Sequence, residues 1–241
     1  MADEQVALVV GAGDALGSAI GRRFAQENFH VVGTRRRGDF SALNDAVARD
    51  GGKATGIHSD ARDEDAVREL VRHVETEIGP IGVCVFNVGG NVQYPVLDTT
   101  TRVYRKVWEM CALAGFLVGR EVAAKMCDRG TGTILFTGAT ASLRGKAGFA
   151  AFSGGKQALR ALAESMSREL APRGIHVGHV VIDGPIDNAN SRALFPEIYE
   201  ERPDDGILNP DEIAEIYWNL HRQPRSAWTF ETDVRPYSEP W

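Results

Sequence analysis

Val6-Ala-Leu-Val-Val10-Gly11-Ala-Gly13-Asp-Ala15-Leu-Gly17-Ser18-Ala-Ile-Gly-Arg-Arg-Phe-Ala-Gln-Glu27 decides the fold. Five apolar residues in a row predict a short strand buried on both faces. The glycine-rich turn comes next, and the residues after it have helical character. Glycines let backbone approach a phosphate closely, and a helix N-terminus offers unpaired N–H groups at the positive end of the helix dipole. The same glycines could make an ordinary tight turn. Their place between a strand and a helix favours a pyrophosphate site of the dinucleotide-binding kind.

Moving outward, the strand–helix alternation repeats. His30–Thr34 predicts a second strand, with Arg35-Arg36-Arg37 at its tip and no carboxylate before Asp39. In a dinucleotide-binding sheet that tip faces the adenosine ribose, where an acid suits NAD and arginine suits the 2′-phosphate of NADP. The other reading is a solvated arginine-rich turn. A helix over 40–49 ends at Gly51-Gly52, and Lys53–His58 gives a third strand closed by Ser59-Asp60-Ala61. Asp63 caps a helix reaching about Ile78. After Gly79-Pro80, Ile81–Phe86 is the fourth strand, ending in Asn87-Val-Gly89-Gly90.

Thr99–Cys127 carries the longest run of helical spacing, and Thr133–Thr137 is the fifth strand, followed by Gly138-Ala139-Thr140-Ala141-Ser142. A long helix then holds Phe152, Leu159, Leu162, Ala163, Met166 and Leu170 at helical spacing. Phe152 and Lys156 are four apart and share a face, so Lys156 is either a solvated helix lysine or part of a site. Gly174–Val181 is the sixth strand, leading into Asp183-Gly184-Pro185-Ile186. Residues 188–209 read as irregular, as a substrate lid would, with the lid region running over about 184–209. Asn209-Pro210-Asp211-Glu212 opens another helix, and 227–234 alternates as a last strand. Tyr237 and Trp241 read as packing or interface residues. No repeat or linker divides the chain, so residues 1–241 are expected to form one α/β domain: a doubly wound, seven-stranded parallel sheet.

Composition narrows the class. A chain of 241 residues can bury a large core without staples. A net charge of −6 argues against a broad surface for nucleic acid. Cys84, Cys111 and Cys127 fit no zinc pattern and read as buried thiols in a reducing cytoplasm. No apolar run is long enough to span a membrane, and the first residues carry no leader signature. No metal site is expected.

Together these segments resemble the short-chain dehydrogenase/reductase family over nearly the whole chain. The first turn is similar to its Gly-x-x-x-Gly-x-Gly, with Gly11 first, Ala15 in the middle place and Gly17 last. The resemblance implies an NAD(P) site over Gly11, Gly13, Ala15, Leu16, Gly17, Arg35, Arg36, Asp60, Ala61, Asn87, Gly89, Lys156, Gly184 and Ile186. Asp60 would bond the adenine amino group, and the Ile186 backbone would bond the carboxamide. NADP(H) is expected over NAD(H). Phe152-Ser-Gly-Gly-Lys156 resembles the family's Tyr-x-x-x-Lys, and counting back thirteen residues from Phe152 places Ala139 at the catalytic Ser. The relay Asn of the family falls at Ala112. Lys156 is therefore the retained catalytic residue, while Ala139 and Phe152 lack the usual groups. Tyr94, Asp183 and Tyr199 are candidate replacement donors, and Thr140 and Ser142 are nearby hydroxyls. Family members usually pair through their two long helices and last strand, and both helices show apolar residues beyond one stripe, including Leu117, Val118, Phe149 and Phe152, which implies a homodimer or homotetramer. Two classes stay open: an oxidoreductase with an altered site acting on an unknown small molecule, or a nucleotide-binding sensor or scaffold without catalysis.

Overall fold

The computed structural model describes residues 5–194 and 196–240; Trp241 lies outside them. The strands are β1 (Val6–Val10), β2 (His30–Arg35), β3 (Lys53–His58), β4 (Ile81–Phe86), β5 (Gly132–Thr137), β6 (Ile175–Ile182) and β7 (Glu231–Val234). They form one sheet in the order β3-β2-β1-β4-β5-β6-β7, and every pairing is parallel. The helices are α1 (Leu16–Ala25), α2 (Ser41–Ala48), α3 (Glu64–His73), α4 (Thr101–Trp108), α5 (Ala114–Arg129), α6 (Ala150–Leu170), α7 (Ala189–Leu194), α8 (Pro196–Glu201) and α9 (Pro210–His221).

β1 shows why the sheet is covered on both sides. Val6, Leu8 and Val10 enter one apolar cluster with Phe86, Val118, Phe136 and Leu159. Ala7 and Val9 enter the other, with Phe24, Leu43 and Tyr217. Successive side chains of a strand point to opposite faces, so a continuous apolar strand needs a helical layer on each. Each such Val or Leu contributes about 1.5–3 kcal/mol by leaving water. α1 packs with α2 and α9 on one face; α3, α5 and α6 pack on the other.

Helix ends follow local chemistry. The Asp63 carboxylate accepts from the Asp65 and Ala66 amides at the start of α3. The hydroxyl of Thr100 accepts from Val103 at α4, and the Asn209 side chain accepts from Asp211 at α9.

Four expectations are corrected. The predicted 99–127 helix is two helices joined by a π turn at Glu109–Leu113. Residues 188–209 are not irregular throughout, because α7 and α8 lie within them. The last strand is shorter than 227–234, since Arg225–Ala227 forms a 3-10 turn and pairing begins at Glu231. Leu117, Val118 and Phe152 point into the chain's own core, so they leave no surface for a partner. The exposed aromatics of that region are Tyr104, Trp108 and Phe116. Cys84 and Cys111 are buried, whereas Cys127 is only half-buried.

Candidate active site

The strand order reverses beside β1, between β2 and β4, and ligands of such sheets bind outside the carboxyl ends at that point. Gly11 leaves β1 with φ +86°, where a side chain is strained, and a Cβ there would lie 2.7 Å from the Asn87 carbonyl oxygen. The Asn87 amide side chain donates back to the Gly11 carbonyl at 3.1 Å. Gly17 packs α1 onto the turn so closely that a Cβ would sit 2.7 Å from the Ala12 Cα. Ala15 at the middle glycine place has φ −96°, outside the left-handed region that would call for a glycine. The Gly11 and Ala12 amides bond to the Thr34 carbonyl, and Ser18 bonds to Gly13. No backbone carbonyl among the described residues takes the amides of Ala15, Leu16 or Gly17. These unpaired donors at a helix N-terminus fit a pyrophosphate. A cavity of 760 Å³ opens over them, bounded also by Asn87, Asp187 and Asn188.

At the ribose end the tertiary structure changes the sequence picture. Asp14, from the glycine turn, accepts from Arg35 Nη1 at 2.6 Å, so a carboxylate does oppose this arginine. Arg36 stays outward, its guanidinium 4.0 Å from Asp60. Asp60 itself is engaged by Arg62 through bonds of 2.9 and 2.6 Å. Those bonds hold its carboxyl at about 2, although burial opposes them. The contact with adenine expected of Asp60 would compete with Arg62. Ala61 is half-buried behind it. Gly89 has open space around it, and Gly184 and Ile186 lie on the turn after β6. Ile186 pairs with Leu208, and its carbonyl accepts from Asn188 at 3.0 Å.

At the reaction end, Lys156 on α6 is 3% exposed. Its ammonium donates to the Thr137 carbonyl at 2.7 Å and the Val88 carbonyl at 3.1 Å. Burial lowers its pKa, and neighbouring Cys111 acts in the opposite sense. The Phe152 ring lies on the same face, its centroid 6.0 Å from Nζ. It packs with Val107, Cys111, Ala141 and Ala151. Ala139 is extended, and its amide donates to the Ser142 hydroxyl at 3.1 Å.

Neither neighbouring hydroxyl takes the place of the missing one. Ser142 is buried beneath the turn, and Thr140 donates to the Asp183 carboxylate. Of the other candidates, Tyr199 and Asp183 have side-chain partners, while Tyr94 is bonded through its backbone amide. Tyr94 is exposed, with its amide on the Gly148 carbonyl. The Tyr199 hydroxyl accepts from the Asn188 amide at 3.5 Å, under the Arg192 guanidinium. Asp183 accepts from Thr140 and lies 3.6 Å from both Arg144 and Arg235.

From the α4–α5 segment Cys111, the residue before Ala112, lies close to Lys156. The π turn adds one residue to a helical turn and shifts the register, which spacing alone does not reveal. A Cβ on Gly155 would lie 3.3 Å from the Cys111 sulfur, and burial raises the thiol pKa. Sequence reading also missed His179, an interior β6 residue. Its Nδ1 bonds to Glu231 at 2.9 Å, and Glu231 accepts two bonds from Arg160. Burial lowers the His179 pKa to about 4.

The short chain dehydrogenase family model matches residues 5–197. The chain belongs to that family of oxidoreductases. It is 29% identical to human dehydrogenase/reductase SDR family member 4 over 95% of this chain and 85% of the relative. It is 31% identical to the 3-oxoacyl-[acyl-carrier-protein] reductase MabA of Mycobacterium avium over 79% of this chain and 71% of that one. Among solved structures, a short-chain dehydrogenase from Rhodopseudomonas palustris is 44% identical with a TM-score of 0.82, covering 97% of this chain and 99% of its own. A metagenomic short-chain oxidoreductase in complex with NADP is 26% identical with a TM-score of 0.79, covering 96% of each chain. No helix among the described residues is long and apolar enough to cross a membrane.

Proposed function

We propose that the protein is an NADP(H)-dependent oxidoreductase whose reaction end keeps Lys156 but lacks the family's Ser and Tyr. The observation that carries this reading is the contrast within one cleft: phosphate-binding backbone is complete around Gly11, Gly13 and Gly17, while Ala139 and Phe152 bring only carbon to the reacting position. Arg36 at the β2 tip suits a 2′-phosphate, and the related metagenomic enzyme was solved with NADP. When bound, the nicotinamide supplies or takes a hydride. Lys156 would hold the nicotinamide ribose, and its charge would favour a developing oxyanion nearby. Phe152 excludes water from that region.

The protein is proposed to work in the cytoplasm, where its free thiols stay reduced, on a small-molecule substrate. We further propose a two-fold homodimer or homotetramer, with Tyr104, Trp108 and Phe116 as the apolar surface available for it. The commitment of Thr140 and Ser142 to other partners favours one second reading, a nucleotide-binding sensor or scaffold.

Calorimetric titration with NADPH and NADH, together with turnover of simple ketones and aldehydes, tests the proposal. Tight NADPH binding with very slow reduction is the expected result. Equal affinities for the two nucleotides would remove the cofactor assignment. Efficient reduction of simple carbonyls would remove the reading of the altered site. A surviving hydride transfer, however slow, separates the enzyme from the silent binder.

A further inference from the structure

Asp183 follows β6 directly, is 1% exposed and shares one carboxylate among three partners. Oδ1 accepts from Thr140, and Oδ2 has no hydrogen bond. Two guanidinium groups, Arg144 and Arg235, approach Oδ2 to 3.6 Å, beyond hydrogen-bond reach. Burying a carboxylate is expensive unless opposite charge compensates it. Here the two cations differ. Arg235 is largely enclosed and also pairs with Asp233. Arg144 has a side chain 45% exposed, and Asp183 is its only ion-pair partner among the described residues.

Arg144 stands five residues after Ala139, at the carboxyl edge of the sheet. Its backbone amide closes the 3-10 turn onto the Thr140 carbonyl at 3.1 Å. A half-exposed guanidinium is thus paired with a buried carboxylate on the turn that also carries Ala139 and Thr140, with its planar fork of N–H donors unspent.

Resting on the reading of the cleft given above, we propose that Arg144 is the anion-recognition residue of the substrate site. The substrate class is then carbonyl compounds, or the matching alcohols, that carry a carboxylate. A guanidinium presents parallel donors that match two carboxylate oxygens, which a lysine at the same place does not. Asp183 is the positioning residue: it holds Arg144 over the site without neutralising it fully, because its charge is divided with Arg235. Substrate charge also offsets what the missing proton donors cannot supply, since binding energy remote from the reacting atoms can be spent on orientation.

The test is calorimetry on the NADPH-saturated protein with pyruvate, acetoacetate and levulinate, each compared with its methyl ester. At least one acid should bind, with its ester weaker by roughly ten- to a hundredfold. Arg144→Gln should remove that difference, Arg144→Lys should restore part of it, and Asp183→Asn should weaken acid binding less than Arg144→Gln does. NADPH affinity should stay unchanged in the two Arg144 variants, which shows that the fold and the cofactor site survive in them. Esters that bind as well as acids overturn the proposal, as does acid binding indifferent to Arg144→Gln or a lack of acid-selective binding across the panel while NADPH still binds. Loss of NADPH binding by the parent protein points instead to failure of the cofactor reading.

Discussion

The two ends of the cleft are built of different material. At the phosphate end the working groups are backbone amides, and side chains matter mainly by being absent: Gly11 and Gly17 touch neighbouring backbone at distances no Cβ tolerates. At the reaction end proposed above, the family's working groups are side chains, and of the three positions only Lys156 carries the family's residue. A backbone site is fixed by the fold itself, so it persists while the fold persists. A side-chain site can lose its chemistry with two substitutions and leave packing intact, as Phe152 does in its apolar cluster.

The comparison can be broken most sharply at the reaction end. Ala139→Ser with Phe152→Tyr should raise NADPH-dependent reduction of a simple aldehyde by about 10²–10⁴-fold over the parent. Each single change should gain much less, because such groups act as a unit. Steady-state assays decide it, with NADPH affinity as the control. A gain equal to the product of the two singles would mean that the groups act independently.

At the phosphate end the next largest effect is expected from Gly17→Ala. The new methyl group meets the Ala12 Cα at 2.7 Å and the Gly11 carbonyl oxygen at 2.8 Å, both backbone atoms that cannot step aside. A stability loss of about 1–3 kcal/mol in denaturant titration should accompany loss of NADPH binding. Unchanged binding would show that the α1–turn contact is softer than its geometry.

A third prediction concerns pH. Burial lowers both His179, under the reaction end, and His221 to about 4, from an ordinary value of 6.5. In the unfolded chain each ring takes up a proton below about 6.5, whereas the folded ring resists until about 4. The stability these neutral rings contribute is therefore present above 6.5 and falls as pH drops toward 4. At pH 5 the loss is on the order of 2 kcal/mol per ring. Urea titrations at pH 7 and pH 5 measure it, and His179→Gln should remove about half of the difference. A flat response would mean that Glu231 supports the charged ring, against the burial effect.

The smallest effect sharpens the ribose end. Arg36→Ala should lower the preference for NADPH over NADH by about tenfold, and Arg35→Ala by less, because Asp14 already occupies Arg35. Asp14→Asn should move the preference the other way. Paired fluorescence titrations check all three variants, and equal effects of the two arginines would put the phosphate between them.

What sequence determined by itself was the order of elements and every position whose role is local. β1 is apolar throughout, so it had to be covered on both faces. The glycine spacing demanded a turn against a helix, and the four-residue step set Phe152 beside Lys156. These follow from short-range geometry, which repeats with fixed periods. Tertiary structure decided the rest. It set Asp14 against Arg35 across 21 residues, and it gave Arg62 the carboxylate of Asp60. It brought Cys111, on a π turn, close to Lys156. It also drew Thr140 and Arg144 from one turn, and Arg235 from the segment after β7, around Asp183. No local pattern marks such partners, because charge pairing and helix register depend on where distant segments come to rest.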